Sequence, residues 1–189
     1  MRQGKAAERG FTMVELLLAL SITMLVSTWA VASLHEWWQG LRITAAGNHF
    51  IGMLESLRHQ SFSMQGALTI CGTPDGQRCD KDLGRRLVAF RDSDRDGVVD
   101  AGEIVLVQEE FLDSADYWLV WRSFQNKDFL RWASGRTDSM NGTFTLCNRQ
   151  RKDKWLRQMV VNRAGRTRSV VPARLGEAAL QAARKSCGW

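Results

Sequence analysis

The chain has 189 residues, of which 44% are hydrophobic and 24% charged, and a formal net charge of +6. The charge is uneven: residues 11–148 hold 12 basic and 17 acidic groups, whereas residues 149–174 hold nine basic groups and only Asp153, a net of +8. That asymmetry points to an anionic partner for the late segment, and the absence of a Gly-x-Ser-x-Gly, P-loop or zincin motif argues against the common enzyme classes.

The chain opens on a short basic leader, Met1 to Gly10, with Arg2, Lys5 and Arg9 against Glu8. Phe11 to Leu34 is then an apolar run with one charge, Glu15, near its start. A bilayer core takes roughly 20 apolar residues in a helix, so this run is long enough to cross it. A carboxylate inside such a run costs about 2.5–3.5 kcal/mol, so Glu15 needs a partner or a task. An ordinary secretory signal has a shorter apolar region and no acid inside it. A plain single-span anchor explains the length but neither Glu15 nor the Gly10–Phe11 junction. Positive charge before the span predicts a cytoplasmic N-terminus and an outward-facing remainder.

From Leu34 to Met64 the chain continues as helix. Leu34, Trp38, Leu41, Ala45, Leu54 and Leu57 recur at three- or four-residue steps and predict one buried face. Trp37 and Trp38 stand where aromatics anchor at a membrane interface. With the span, this makes one helix of roughly 50 residues, about 75–80 Å long. Gly40, Gly47 and Gly52 weaken it and offer points of bending. His35, His49 and His59 all fall on this helix, beside no nucleophile, and no catalytic role is expected of them.

After Met64 the pattern changes to short strands rich in β-branched and aromatic residues, bounded by turn signals. They are expected at Ala67 to Cys71, Arg86 to Phe90, Ile104 to Glu109, Tyr117 to Phe124, Leu130 to Ala133, Gly142 to Cys147 and Gln158 to Asn162. Seven strands at this spacing predict antiparallel sheet packed on the helix. Trp118, Trp121 and Trp132 read as sheet packing. Ala173 to Lys185 predicts a short terminal helix.

Four cysteines allow three pairings. Cys71 and Cys79 flank a turn-rich loop, which favours Cys71–Cys79 and leaves Cys147–Cys187 to tie down the tail. The oxidising side of a membrane is where such bonds persist. A zinc site is the rival reading, but the spacing fits no common zinc pattern.

Two stretches carry chemistry. Asp92-Ser-Asp94-Arg-Asp96-Gly97-Val98-Val-Asp100-Ala-Gly-Glu103 places acids at loop positions 1, 3, 5, 9 and 12, a glycine at 6 and the Val98 carbonyl at 7. That is the calcium-loop pattern of helix–loop–helix proteins, here between strands; the plain reading is an acidic Asp-Gly hairpin. The other is Gly165-Arg166-Thr167-Arg168, after the turn Asn162-Arg163-Ala164-Gly165. Arginines on such a tip can fork onto phosphate oxygens, and the glycine would let backbone amides approach a ligand. Trp155, among Arg149, Arg151, Lys152, Lys154 and Arg157, offers a stacking surface. A solvated basic face is the plain alternative.

The basic leader ending in Gly10, then Phe11, then Glu15 at the fifth position of the trimmed chain, then the apolar helix, resembles the type IV prepilin signal. The stretches Val88-Ala-Phe-Arg-Asp92, Asp96-Gly97, Asp100 and Gly102-Glu103-Ile104 resemble the central hairpin of the GspH/FimT-like minor pilins. So do Gly142-Thr-Phe-Thr-Leu-Cys147-Asn148 and Met159-Val-Val-Asn162 followed by Gly165-Arg-Thr-Arg168. The resemblance implies an α+β fold, type IV pilin-like, with a long N-terminal helix, transmembrane in its first half, packed on antiparallel β-sheets. Its parts would be the leader 1–10, the transmembrane half 11–34, the periplasmic half 35–64 and a β-rich head 65–189. The proline kink common inside the pilin span is absent, since Pro74 and Pro172 are the only prolines. The resemblance also implies cleavage between Gly10 and Phe11 by a prepilin peptidase, methylation of the Phe11 amine, and a Glu15 that offsets the amine of a neighbouring subunit. The implied partners are other major and minor pilins, the inner membrane and, through Arg163, Gly165, Arg166, Thr167 and Arg168, double-stranded DNA. The alternative is a GspH-type pseudopilin of a type II secretion system, structural and without DNA binding. No cofactor is required, and calcium at Asp92, Asp94, Asp96, Val98, Asp100 and Glu103 is the one metal expectation.

Overall fold

The computed structural model describes residues 10–64, 66–80, 83, 86–110, 116–138 and 141–189, and the basic leader before Gly10 lies outside them. Helix α1 runs unbroken over Met13–Ser63, through Gly40, Gly47 and Gly52. The chain divides into two compact units after Gly40. In the first, the large apolar side chains from Phe11 to Val31 and that of Leu34 are exposed, and the helix is long and apolar enough to cross a membrane. Its hydroxyls are satisfied internally: Ser21 donates to the Leu17 carbonyl at 2.8 Å, Ser27 to Thr23 at 2.6 Å and Thr28 to Leu25 at 2.8 Å. Such back-bonding lets polar side chains sit in an apolar span without water.

In the second unit, the described residues form nine strands in two antiparallel sheets. β1 (Ala67–Gly72), β2 (Leu87–Asp92), β3 (Val105–Glu109), β5 (Phe129–Ala133) and β6 (Arg136–Thr137) make a sheet in the order β3-β2-β1-β5-β6. β4 (Tyr117–Ser123), β7 (Gly142–Asn148), β8 (Arg157–Val161) and β9 (Thr167–Val170) make the other, in the order β4-β7-β8-β9. Two of these strands, β6 and β9, have no counterpart in the sequence expectation. β6 is two residues long, and β9 is a polar edge strand without the alternation of a buried one.

One core joins the helix to both sheets. Ile43, Ala46, Phe50, Leu54 and Leu57 meet Leu68, Ile70, Leu87 and Trp132 of the first sheet and Leu119, Trp121, Phe144 and Met159 of the second. The expected stripe is therefore corrected in its upper part. Leu34, Trp38, Leu41 and Ala45 are exposed, and Ile43, Ala46 and Phe50 continue the inward face upward from Leu54 and Leu57. Gly47 lets the second sheet close up, with Arg157 Cδ 3.2 Å from where its Cβ would stand.

The far face of the second sheet carries its own cluster. Cys147 and Leu156 pack with Ala183 of α2 (Glu177–Ser186) and with Cys187 at its C-cap, flanked by Trp118, Leu180 and Trp189. Pro172 and Gly176 delay this helix beyond the expected Ala173: residues 172–174 form a 3-10 turn, and Gly176 is the extended N-cap. Cys147 is bonded to Cys187, and Cys71 to Cys79. Arg184 adds a second tie, its Nε donating to Asp153 Oδ1 at 2.9 Å while Nη2 reaches Oδ2. That hydrogen-bonded pairing holds the Asp153 carboxyl below its ordinary value and raises the guanidinium of Arg184.

Candidate functional site

Three places bear on function, and the first is the start of α1. Thr12 stands one residue before the helix. The Glu15 amide donates to Thr12 Oγ1 at 3.3 Å, and the Thr12 amide donates to Glu15 Oε2 at 3.5 Å. This is a capping box, which satisfies two of the donors left over at a helix start and sets a carboxylate against the positive end of the dipole. Sequence reading gave Glu15 no such local task, although the signal, Thr12-Met-Val-Glu15, is a capping-box pattern. Gly10 and Phe11 precede the cap and are exposed, so the peptide bond between them lies outside the helix in accessible chain.

The second place is the β8–β9 hairpin. Its turn is built tightly: the Gly165 amide donates to the Asn162 carbonyl at 2.8 Å, the Asn162 amide to the Arg166 carbonyl at 3.1 Å, and the Arg166 amide to Asn162 Oδ1 at 3.0 Å. Gly165 has φ +75° and is buried, its amide engaged within the turn. A Cβ there would stand 2.3 Å from the Gly135 carbonyl oxygen. The glycine thus serves close backbone approach inside the protein. Arg58 of α1 braces both chains, donating from Nε to the Gly135 carbonyl at 3.0 Å and from Nη2 to the Ala164 carbonyl at 3.4 Å. Thr137 Oγ1 donates to the Arg163 carbonyl at 3.0 Å, and the Thr167 amide to Glu55 Oε1 at 3.3 Å.

On this braced turn Arg163, Arg166 and Arg168 are exposed. Among the described residues no carboxylate pairs with any of the three. Strand alternation sets Arg166 and Arg168 on one face, opposite Thr167. The register Arg122↔Thr143↔Val160↔Arg168 puts Arg122 on that face as well, about 14 Å away at ~4.8 Å per strand.

Of the other six cations of the basic segment, four are engaged with the protein, and Arg151 and Arg174 are exposed. Trp155 is corrected from a stacking surface to a core residue, 8% exposed, because the 3-10 turn Asp153–Trp155 tucks its ring inward. Lys152 and Lys154 lie 4.7 and 5.2 Å from its ring centroid. Arg149 lies over Trp118 at 5.7 Å, and Arg157 donates to Thr44 Oγ1 at 3.0 Å. Sequence position alone could not separate these cations from the exposed ones.

The third place is the loop between β2 and β3. Asp92 ends β2, is fully buried, and receives Arg131 Nη2 and Thr69 Oγ1 at Oδ2, each at 2.6 Å. Neither Thr69 nor Arg131 carried a sequence signal for this role. One oxygen each of Asp92, Asp94 and Asp96 lie within 4.8 Å of one another. Gly97 has φ +77°. Glu103 is held across the loop, accepting from the Ser93 amide at 2.7 Å and the Asp100 amide at 3.4 Å. The loop is clasped to the Cys71–Cys79 loop, through the Cys79 amide on the Gly97 carbonyl at 3.2 Å and the Val99 amide on the Gln77 carbonyl at 2.8 Å. Asp100 is exposed and stands outside the three-carboxylate group.

A capped apolar N-terminal helix followed by a head of two antiparallel sheets on a helix defines a pilin-like subunit. Residues 5–31 match the prokaryotic N-terminal methylation motif, and residues 46–165 match the profile described as Type II transport protein GspH. The chain belongs to this GspH family and carries the N-terminal methylation motif ahead of it. Its fold is similar to that of the type IV minor pilin FimU of Pseudomonas aeruginosa, at TM-score 0.52 and 21% identity, over 72% of this chain and 93% of that chain. The minor pseudopilin EpsH of the Vibrio cholerae type 2 secretion system superposes at TM-score 0.49 and 14% identity, over 69% and 98%. No curated protein matches the chain.

Proposed function

We propose that the chain is a minor type IV pilin that enters a pilus by its N-terminal helix and binds double-stranded DNA without sequence preference at the β8–β9 turn. A prepilin peptidase cuts between Gly10 and Phe11 and methylates the new amine. Before assembly the chain is held in the inner membrane by residues 11–34, with its head in the periplasm. In the filament Glu15 offsets the Phe11 amine of a neighbouring pilin, since each charge alone is penalised in an apolar core. The observation that supports DNA binding is the set of three exposed arginines without a carboxylate partner on a braced turn, inside a segment of net +8. Nothing on the turn suits base reading, so the binding is to phosphate. Membership of the Type II transport protein GspH family supports a second reading, a structural pseudopilin of type II secretion, in which the chain would bind no DNA.

The test is DNA binding by the full chain in detergent across a salt series, with Arg166→Ala/Arg168→Ala beside it. Each phosphate contact contributes about 0.9 to the slope of log affinity against log salt, so the double variant lowers that slope by about 1.8. From 50 to 200 mM salt, the wild type then loses about 12-fold more affinity than the variant. No binding at low salt by the folded wild type, or the same slope in the double variant, would transfer the chain to the pseudopilin reading.

A further inference from the structure

From the loop between β2 and β3 we infer a calcium site, formed by Asp92, Asp94 and Asp96 and closed by the Val98 carbonyl and water. Two independent observations meet here. The first is the convergence of three carboxylate oxygens within 4.8 Å of one another, close enough to share one cation. Calcium takes oxygen ligands in flexible geometry, whereas magnesium demands octahedral order and gives up its water reluctantly. The second is Asp92 Oδ1, which is buried and has no hydrogen-bond partner. Its sister Oδ2 is saturated by Arg131 and Thr69. A desolvated carboxylate oxygen without a donor is costly, and it belongs to the carboxyl group that meets Asp94 and Asp96.

The surrounding chain suits an oxygen-ligated cation. Gly97, at the sixth loop position with φ +77°, makes the reversal that brings the carboxylates together. The hydrogen bonds to the 77–79 segment use the Gly97 carbonyl and the Val99 amide, so the Val98 carbonyl takes no part in them. Arg131 neutralises one of the three charges and Glu103 is engaged with loop amides, so the site is weaker than a cytosolic calcium sensor. Its affinity belongs to the extracellular class, with a dissociation constant of about 10⁻⁴–10⁻³ M.

The experiment uses the full chain in detergent, stripped with chelator and titrated with calcium chloride alone, then with magnesium chloride alone. Binding is read by calorimetry and by the melting of tryptophan fluorescence. The expected result is one saturable calcium site in that affinity range, a raised Tm, and a magnesium response weaker by about tenfold or more. Asp94→Asn/Asp96→Asn keeps the side-chain acceptors that Asp94 and Asp96 offer to the Asp96 and Val98 amides. It therefore melts like the wild type in chelator and loses the calcium response. If that variant melts early, Asp94→Asn alone is compared, with a loss of about tenfold in calcium affinity expected. No heat and no Tm change up to about 10 mM calcium overturns the site, as does an equal response to magnesium or an undiminished response in a folded variant.

Discussion

Gly165→Ala tests the architecture of the basic turn while leaving every arginine in place. The new Cβ would stand 2.3 Å from the Gly135 carbonyl oxygen, 3.0 Å from Trp132 Nε1 and 3.1 Å from Arg58 Nε. An ordinary carbon–oxygen contact is about 3.3 Å or more, so one backbone must retreat by about 1 Å. At φ +75° an alanine also costs about 1–2 kcal/mol relative to glycine. Retreat of Gly135 weakens its hydrogen bond from Arg58, a charged donor, for which about 1.5–3 kcal/mol is typical. The sum is about 2.5–5 kcal/mol, and at about 2–4 °C per kcal/mol for a chain of this size the Tm falls by about 10 °C. The control is Gly188→Ala, which shares the positive φ, at +77°, but has nothing within 4 Å of the new Cβ. It bears only the conformational part, about 1–2 kcal/mol. Both are read by tryptophan fluorescence melting of the full chain in detergent. Equal losses in the two variants would refute the backbone contact as the reason for glycine at 165.

At the start of α1, Glu15→Gln keeps the capping acceptor and removes the charge, whereas Glu15→Ala removes both. If the charge is what joins neighbouring subunits, both variants fail to appear in sheared filaments; normal incorporation of Glu15→Gln would reduce Glu15 to a helix cap. The Asp153–Arg184 tie predicts a pH effect. The folded carboxyl of Asp153 lies below its unfolded value of 3.8, so its contribution is full above that pH and is lost as pH falls through the lower folded value. Carbonyl NMR of Asp153 should show a midpoint below 3.8 that moves up in Arg184→Gln, and an unmoved midpoint would refute the tie.

Much of the fold is legible in the sequence because the signals are local. The apolar run to Leu34 needs only length and composition. Strands such as β4 and β7 declare themselves by β-branched and aromatic residues with turn signals at their ends. Cys71 and Cys79 are held close by their spacing alone. What escapes is decided by partners far along the chain. β9 is a strand because β8 lies beside it, with Val160 opposite Arg168. The buried face of α1 passes through Ile43 and Phe50 because two sheets converge there. Asp92 is buried because Thr69 and Arg131, distant in sequence, converge on one of its oxygens.

The basic segment shows why net charge locates a site only coarsely. Long cationic side chains pack their stems and heads on aromatic rings as readily as they face water. Lys152 and Lys154 do so on Trp155, Arg149 does so on Trp118, and Arg157 reaches back to Thr44. A charge used in this way is less available to a phosphate. Of the arginines left over, Arg151 and Arg174 lie outside the hairpin, and the other three are those that the turn and β9 hold away from such partners. Arg166 immediately precedes β9 and Arg168 lies in it two residues on, and Arg163 stands in the turn itself, whose hydrogen bonds engage the backbone of Asn162, Gly165 and Arg166. If the turn binds DNA, the number of phosphates it holds therefore follows from the β8–β9 register rather than from the charge of +8. The salt slope would measure that number directly: a slope near three contacts would match the turn arginines, one near five would add Arg151 and Arg174, and one near nine would mean that the packed cations had been released.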